Sequence, residues 1–155
     1  MLQNLLKKID YRPVALQKTI AGHFELIVSI NGIDTNFIVD TGAAKTVIDL
    51  GFARMHNLHL QETTILAGGL GPSRMVMFRV NSTRLLIGEF ALFLPEIHAI
   101  DLRRIKQSLR DKGIKKPANG VIGADILMHH KAIIDYSNQI LYLQKSSMRI
   151  SANSD

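Results

Sequence analysis

Apolar residues in this chain fall mostly in short runs cut by turn residues, a spacing that predicts many short strands and few helices. His23 to Ile30 and Ile33 to Val39 are two such runs, and the pair between them, Asn31-Gly32, is a strong hairpin signal. Thr63 to Leu66 and Met75 to Val80 predict a second hairpin. They are joined by Ala67-Gly68-Gly69-Leu70-Gly71-Pro72-Ser73-Arg74, where closely spaced glycines make a pliant tip. A third hairpin, Thr83 to Ile87 and Phe90 to Leu94, turns at Gly88-Glu89, and the chain closes with Ala132 to Asp135 and Ile140 to Gln144 around Tyr136-Ser137-Asn138-Gln139.

Helical readings are fewer. Leu2 to Ile9 suits one short helix, and Thr46-Val47-Ile48-Asp49 suits the opening of another running through about Asn57, with Asp49 as a cap or first-turn acid. Leu102, Ile105 and Leu109 recur at helical spacing within an amphipathic segment near residues 101–112, begun by Asp101 and stopped at Gly113. The pattern predicts an all-β, barrel-like domain with one or two short helices. Residues 1–22 read as an N-terminal extension whose extended piece is broken by Pro13, residues 23–145 as the domain, and residues 146–155 as a polar C-terminal tail.

At 155 residues and 46% hydrophobic content, the chain suits one domain with a real core. No apolar run approaches the roughly 18 residues that span a bilayer, and the first residues lack a signal peptide's order of charge, greasy centre and cleavage site. A soluble, cytoplasmic protein is the expectation, although a periplasmic protein stripped of its leader would read the same. The absence of cysteine excludes a disulfide framework and a thiol nucleophile.

A net charge of +6 raises the question of nucleic acid. Seven of the 19 basic residues, Arg103, Arg104, Lys106, Arg110, Lys112, Lys115 and Lys116, fall in one stretch, largely opposite its apolar positions. This describes a solvated helix face. No aromatic residue interrupts the run to stack on bases, which argues against nucleic acid.

The chemistry concentrates at Asp40-Thr41-Gly42-Ala43, where the run Phe37-Ile38-Val39 delivers a carboxylate into a tight turn. The Thr41 hydroxyl can hold such a turn, and Gly42 permits close approach of another backbone or a substrate. Peptide hydrolysis by carboxylates alone needs two of them, because a lone carboxylate is a weak base at neutral pH and water a poor nucleophile. Two carboxylates about 3 Å apart share one proton, so one activates water while the other donates to the substrate carbonyl. Asp-Thr-Gly occurs once; Asp34-Thr35-Asn36 and Asp135-Tyr136-Ser137 lack the glycine. The second carboxylate must therefore come from another chain.

In these residues the chain resembles the retropepsin-like aspartic proteases, single-domain relatives of the retroviral proteases. The resemblance covers roughly residues 23–145 and rests on Phe37-Ile38-Val39, the signature Asp40-Thr41-Gly42-Ala43, Thr46-Val47-Ile48, the glycine-rich hairpin of Gly68 to Gly71, and Val121-Ile122-Gly123 before Asp125-Ile126-Leu127. It implies a homodimeric aspartic endopeptidase, without cofactor or metal, acting on peptide or protein substrates. By the same resemblance Asp40 is catalytic, Thr41 braces the paired loops, and Gly42 and Ala43 line the cleft. Ala44 and Lys45 follow on its wall, and Gly68, Gly69, Leu70 and Gly71 form a flap. The chain departs from the retroviral pattern at Ala44 and Ala124, where those enzymes usually carry an acid and an arginine that pair. It departs again at Lys45, where an acid is common, and in a longer segment from Pro95 to Ala118 to which the resemblance assigns no function.

Other chemistries fit less well. A phosphoryl-accepting aspartate wants a second acid nearby for magnesium, and residues 41–44 offer none. The glycines at 68, 69 and 71 lack the Gly-Lys-Ser or Gly-Lys-Thr of a phosphate loop. His56, His59 and Glu62 would share a face only within a helix, and the adjacent His129 and His130 fix no ligand set, so no metal is expected. The competing class is a binding module that keeps the fold for dimerisation or peptide capture with weak or absent hydrolysis.

Overall fold

The structure, a computed structural model, describes residues 1–67 and 75–145. In chain order the elements are α1 (Leu2–Lys7), β1 (Tyr11–Ala15), β2 (Gln17–Lys18), β3 (Phe24–Ile30), β4 (Ile33–Val39), β5 (Val47–Asp49), α2 (Leu50–Met55), β6 (His59–Ala67) and β7 (Met75–Asn81). They continue with β8 (Leu85–Ile87), β9 (Phe90–Ala91), β10 (Ile97–Ile100), α3 (Arg103–Asp111), β11 (Gly120–Ile122), α4 (Ala124–His129), β12 (Ile133–Asp135) and β13 (Ile140–Gln144). The expected flap tip and the expected C-terminal tail lie outside the described residues.

Local chemistry explains the first hairpin. Asn31 and Gly32 both take positive φ, 49° and 85°, the pair of values that a twisted two-residue turn demands and that asparagine and glycine tolerate best. β3 and β4 then pair antiparallel from Phe24 opposite Val39 to Ile30 opposite Ile33. Leu26, Val28 and Ile30 are buried while Ile27 is exposed, so one face of the hairpin enters the core.

The large sheet has the order β6-β7-β10-β5-β11-β4-β3-β8-β9, with β2 on β3. Most of its pairings are antiparallel, but β11 runs parallel to β4 and β10 parallel to β5. The first join sets β11 alongside the end of β4, and the second sets β10 alongside β5. The main core, which includes Val28, Ile30, Phe37, Ile48, Ile122, Ile126, Leu141 and Leu143, lies against one face of this sheet.

A second sheet, β1-β13-β12, holds both ends of the described chain. β1 pairs along its whole length with β13, and Pro13 sits opposite Tyr142 on this edge strand, where a missing N–H costs little. Residues 11–15, read from sequence as an interrupted extended piece, are a continuous strand. α1 caps the sheet by packing Leu6 against Tyr11 and Tyr142.

Two sequence expectations need correction. Val47–Asp49 is a strand and not the first turn of a helix; α2 begins at Leu50, with the Asp49 carboxylate accepting from the Phe52 N–H at 3.1 Å. The β-branched pair Val47-Ile48 prefers the strand, and Asp49 caps from its last position. In α3 the buried side is also rotated from the expected one: Leu102 and Leu109 are buried, Ile105 is 45% exposed, and Lys106 turns inward.

Candidate active site

β4 carries Asp40 to the surface. Its N–H donates to the Ile122 carbonyl at 3.0 Å, extending the β4–β11 ladder by one bond, after which the chain turns. The Ala43 N–H closes the turn on the Asp40 carbonyl at 3.2 Å, and the Gly42 N–H donates to Asp40 Oδ1 at 2.9 Å. The carboxylate is thus oriented by its own loop. Asp40, Thr41, Gly42, Ala44 and Lys45 are exposed, so the loop presents its chemistry outward, while Ala43 is half-buried.

The loop rests on the turn between β11 and α4. A β-carbon on Gly123 would lie 2.7 Å from the Ala43 carbonyl oxygen and from the carbonyl carbon and oxygen of Lys45, so only glycine fits. The Ala124 N–H donates to the Ala43 carbonyl at 2.7 Å. One residue further on, Asp125 Oδ1 and Oδ2 each accept from the Thr46 N–H at 3.0 Å, and Oδ1 accepts from the Thr46 hydroxyl at 2.7 Å. That hydroxyl in turn accepts from the Gly123 N–H at 2.9 Å. With alanine at 44 and 124, Thr46 and Asp125 close this junction, a role the sequence reading did not assign to either.

Behind the loop, Asp49 is 3% exposed and fully engaged. Besides capping α2 it accepts from the Leu102 N–H at 3.1 Å and from Lys106 Nζ at 3.2 Å. Lys106 Nζ also donates to Asn119 Oδ1 at 2.7 Å, and Asn119 Nδ2 donates to the Thr35 hydroxyl at 2.9 Å. Asn119 backbone groups bond Asp49 and Asn36. The long insertion containing α3 is therefore tied to β4 and β5 through the buried Asp49 and the part-buried Lys106, Asn119 and Thr35, each carrying a partner.

On the other side, Ala43 packs against a small apolar cluster of Val47, Met77, Ile100, Leu102 and Val121, separate from the main core. Register partners place Val121, Val47, His98 and Arg79 in one row across β11, β5, β10 and β7. Arg79 Nη2 pairs with Glu96 Oε1 at 2.9 Å. His98 Nε2 lies 3.5 Å from Glu96 Oε2, too far for a good hydrogen bond, and has no hydrogen-bond partner; Arg79 Nε has none either. Burial holds the His98 imidazole below the usual histidine range; the Lys45 and Arg79 cations add to this, and the Glu96 and Asp125 carboxylates oppose it.

Residues 40–45 thus form one continuous rim, exposed at every position but Ala43. Gly68, Gly69, Leu70 and Gly71 lie outside the described residues. Among the described residues no group of three or more histidine, aspartate and glutamate side chains is placed to hold a metal ion, and no helix is long and apolar enough to cross a membrane. His59 stands on β6, so the spacing of His56, His59 and Glu62 is not a helical face. His130 is a core residue: its Nε2 accepts from the Phe93 N–H at 3.0 Å and its Nδ1 lies 2.9 Å from the Gln144 carbonyl.

A carboxylate exposed on a pinned Asp-Thr-Gly loop, set beside a glycine turn in a mostly β fold, defines the class. The sequence profile of the aspartyl proteases matches residues 26–126, and the chain belongs to that family. Its fold is similar to the crystal structure of a retropepsin-like aspartic protease from Rickettsia conorii, with a TM-score of 0.53 and 19% identity over 86% of this chain and 89% of that one. It is also similar to the retroviral protease-like domain of Ddi1 from Leishmania major, with a TM-score of 0.52 and 17% identity over 77% of this chain and 86% of that one. No curated protein sequence matches significantly. The expected all-β, retropepsin-like fold is the one this chain has.

Proposed function

We propose that the protein is an aspartic endopeptidase that works as a homodimer, with Asp40 of two subunits forming the catalytic pair. The observation that carries this reading is the exposed Asp40 carboxylate, aimed outward by the Gly42 N–H on a loop buttressed from beneath by Gly123, Thr46 and Asp125. One chain supplies one such carboxylate.

Brought together, the two carboxylates hold a single proton, because like charges at about 3 Å cannot both persist. The ionised one takes a proton from a water between them as that water attacks the peptide carbonyl carbon. The protonated one donates to the carbonyl oxygen, giving a tetrahedral diol. Proton transfer to the leaving nitrogen then breaks the carbon–nitrogen bond, with no acyl-enzyme formed. In this reading Thr41 braces the two loops where they meet, Ala43 and Ala44 line the cleft, and the hairpin of Gly68, Gly69, Leu70 and Gly71 closes over an extended peptide and excludes water.

Asp40→Asn tests the assignment. The variant should fold with wild-type thermal stability and lose all cleavage of an unfolded protein across acid to neutral pH. Retained cleavage would refute the role of Asp40.

A further inference from the structure

The endopeptidase reading leaves open what the cleft selects, and Lys45 addresses that. Its backbone is not free to drift: Gly123 lies directly against its carbonyl group, and the next residue is bonded to Asp125 through both N–H and hydroxyl. Five positions after Asp40, the lysine is therefore held on the rim with its side chain exposed. Among the described residues no carboxylate lies within ion-pair distance of its ammonium group.

Apart from Asp40 itself, the acids Asp125 and Glu96 are already occupied. Asp125 is taken up by Thr46 and by the Ile126 N–H at 2.8 Å, and Glu96 by Arg79. Ala43 is half-buried beside Lys45, and Val47, Val121 and His98 lie buried behind the loop, so Lys45 is the one cationic side chain that residues 40–45 present outward. The exposed rim therefore carries a cation that no carboxylate of the described residues neutralises. Lys45 offers a counter-ion to an acidic side chain and repels a basic one.

We propose that Lys45 is a specificity-determining residue, and that the enzyme prefers substrates with glutamate or aspartate close to the bond it cuts. The inference rests on the endopeptidase reading. It is tested with peptides identical except for Glu, Gln or Lys at each position flanking the scissile bond, assayed with wild type, Lys45→Gln and Lys45→Glu. Comparing peptides within one variant cancels differences in folded fraction.

At one of those positions the wild type should favour Glu over Gln by about fivefold in kcat/KM, the scale of a solvent-facing charge pair. The effect should sit mainly in KM and shrink as salt rises. Lys45→Gln should abolish the preference, and Lys45→Glu should turn it toward Lys. Cleavage of the Gln peptide that depends on Asp40 but shows no preference for Glu, or a Glu preference that survives Lys45→Glu, would overturn the role of Lys45 and leave the endopeptidase reading standing. Failure to cut any peptide would overturn both.

Discussion

The Thr46 hydroxyl donates to Asp125 at 2.7 Å and accepts from the Gly123 N–H at 2.9 Å, so one oxygen locks the segment after the signature loop to the turn beneath it. Thr46 is 1% exposed, and a buried hydroxyl in this double role has no water to replace a lost partner.

Thr46→Val keeps the shape and removes both bonds of the hydroxyl. It should cost about 1–3 kcal/mol in stability, because the Gly123 N–H is left buried without its acceptor. The catalytic loop should also loosen, lowering kcat more than it raises KM. Thr46→Ser, which restores the hydroxyl, should recover most of both. Urea unfolding and steady-state kinetics on the three proteins check this; a fully stable and active Thr46→Val would show that the junction is held by packing alone.

Lys106 is the second tie. Lys106→Met removes the cation from Asp49 and the donor from Asn119 while keeping a long aliphatic stem. Breaking a buried pair costs about 3–5 kcal/mol when the remaining charge is stranded. Here Asp49 keeps the Phe52 and Leu102 N–H groups, so the loss should fall below that range. Pairing the change with Asp49→Asn in a double-mutant cycle should give a clearly non-additive coupling, and additivity within about 0.5 kcal/mol would deny the interaction.

Stability should depend on pH through His130 and His98. Burial is the first cause that lowers both imidazoles; for His130 the Gln144 carbonyl works against it and His129 with it. The folded chain therefore binds these protons less readily than the unfolded chain. The stability this supplies is complete above the unfolded histidine value of about 6.5 and is lost as pH falls from there through the lowered folded values. Denaturant midpoints measured from about pH 8 down to about pH 5 should decline, and His98→Gln should flatten part of the slope. Burial raises the Glu25 carboxyl and works the other way, so the comparison decides: identical wild-type and His98→Gln slopes would contradict the burial argument for His98.

The features legible in the sequence are those whose signal is local. Asn31-Gly32 announced its hairpin because two left-handed residues in succession are a backbone requirement that few residue types meet. Asp40-Thr41-Gly42 and Val121-Ile122-Gly123 were legible as motifs. Their contact, with Gly123 against Ala43 and Lys45, required the parallel pairing of β11 with β4, which no local pattern encodes. β10 was missed because Ile97-His98-Ala99-Ile100 is short and has buried residues at all four positions, so it shows no alternation. α4, six residues long and lacking a side-chain cap, gave no periodicity to read. Ile105 misled because the helix turns its inward face toward Asp49, where a lysine finds a charge partner that an isoleucine cannot use.

Whether one working site is assembled from two copies of Asp40 is read by titrating the active enzyme with a tight-binding statine-type inhibitor at known chain concentration. Inhibition should be complete at one inhibitor per two chains, and Asp40→Asn should take up none. Saturation at one inhibitor per chain, with the chain sedimenting as a monomer throughout, would contradict the shared site.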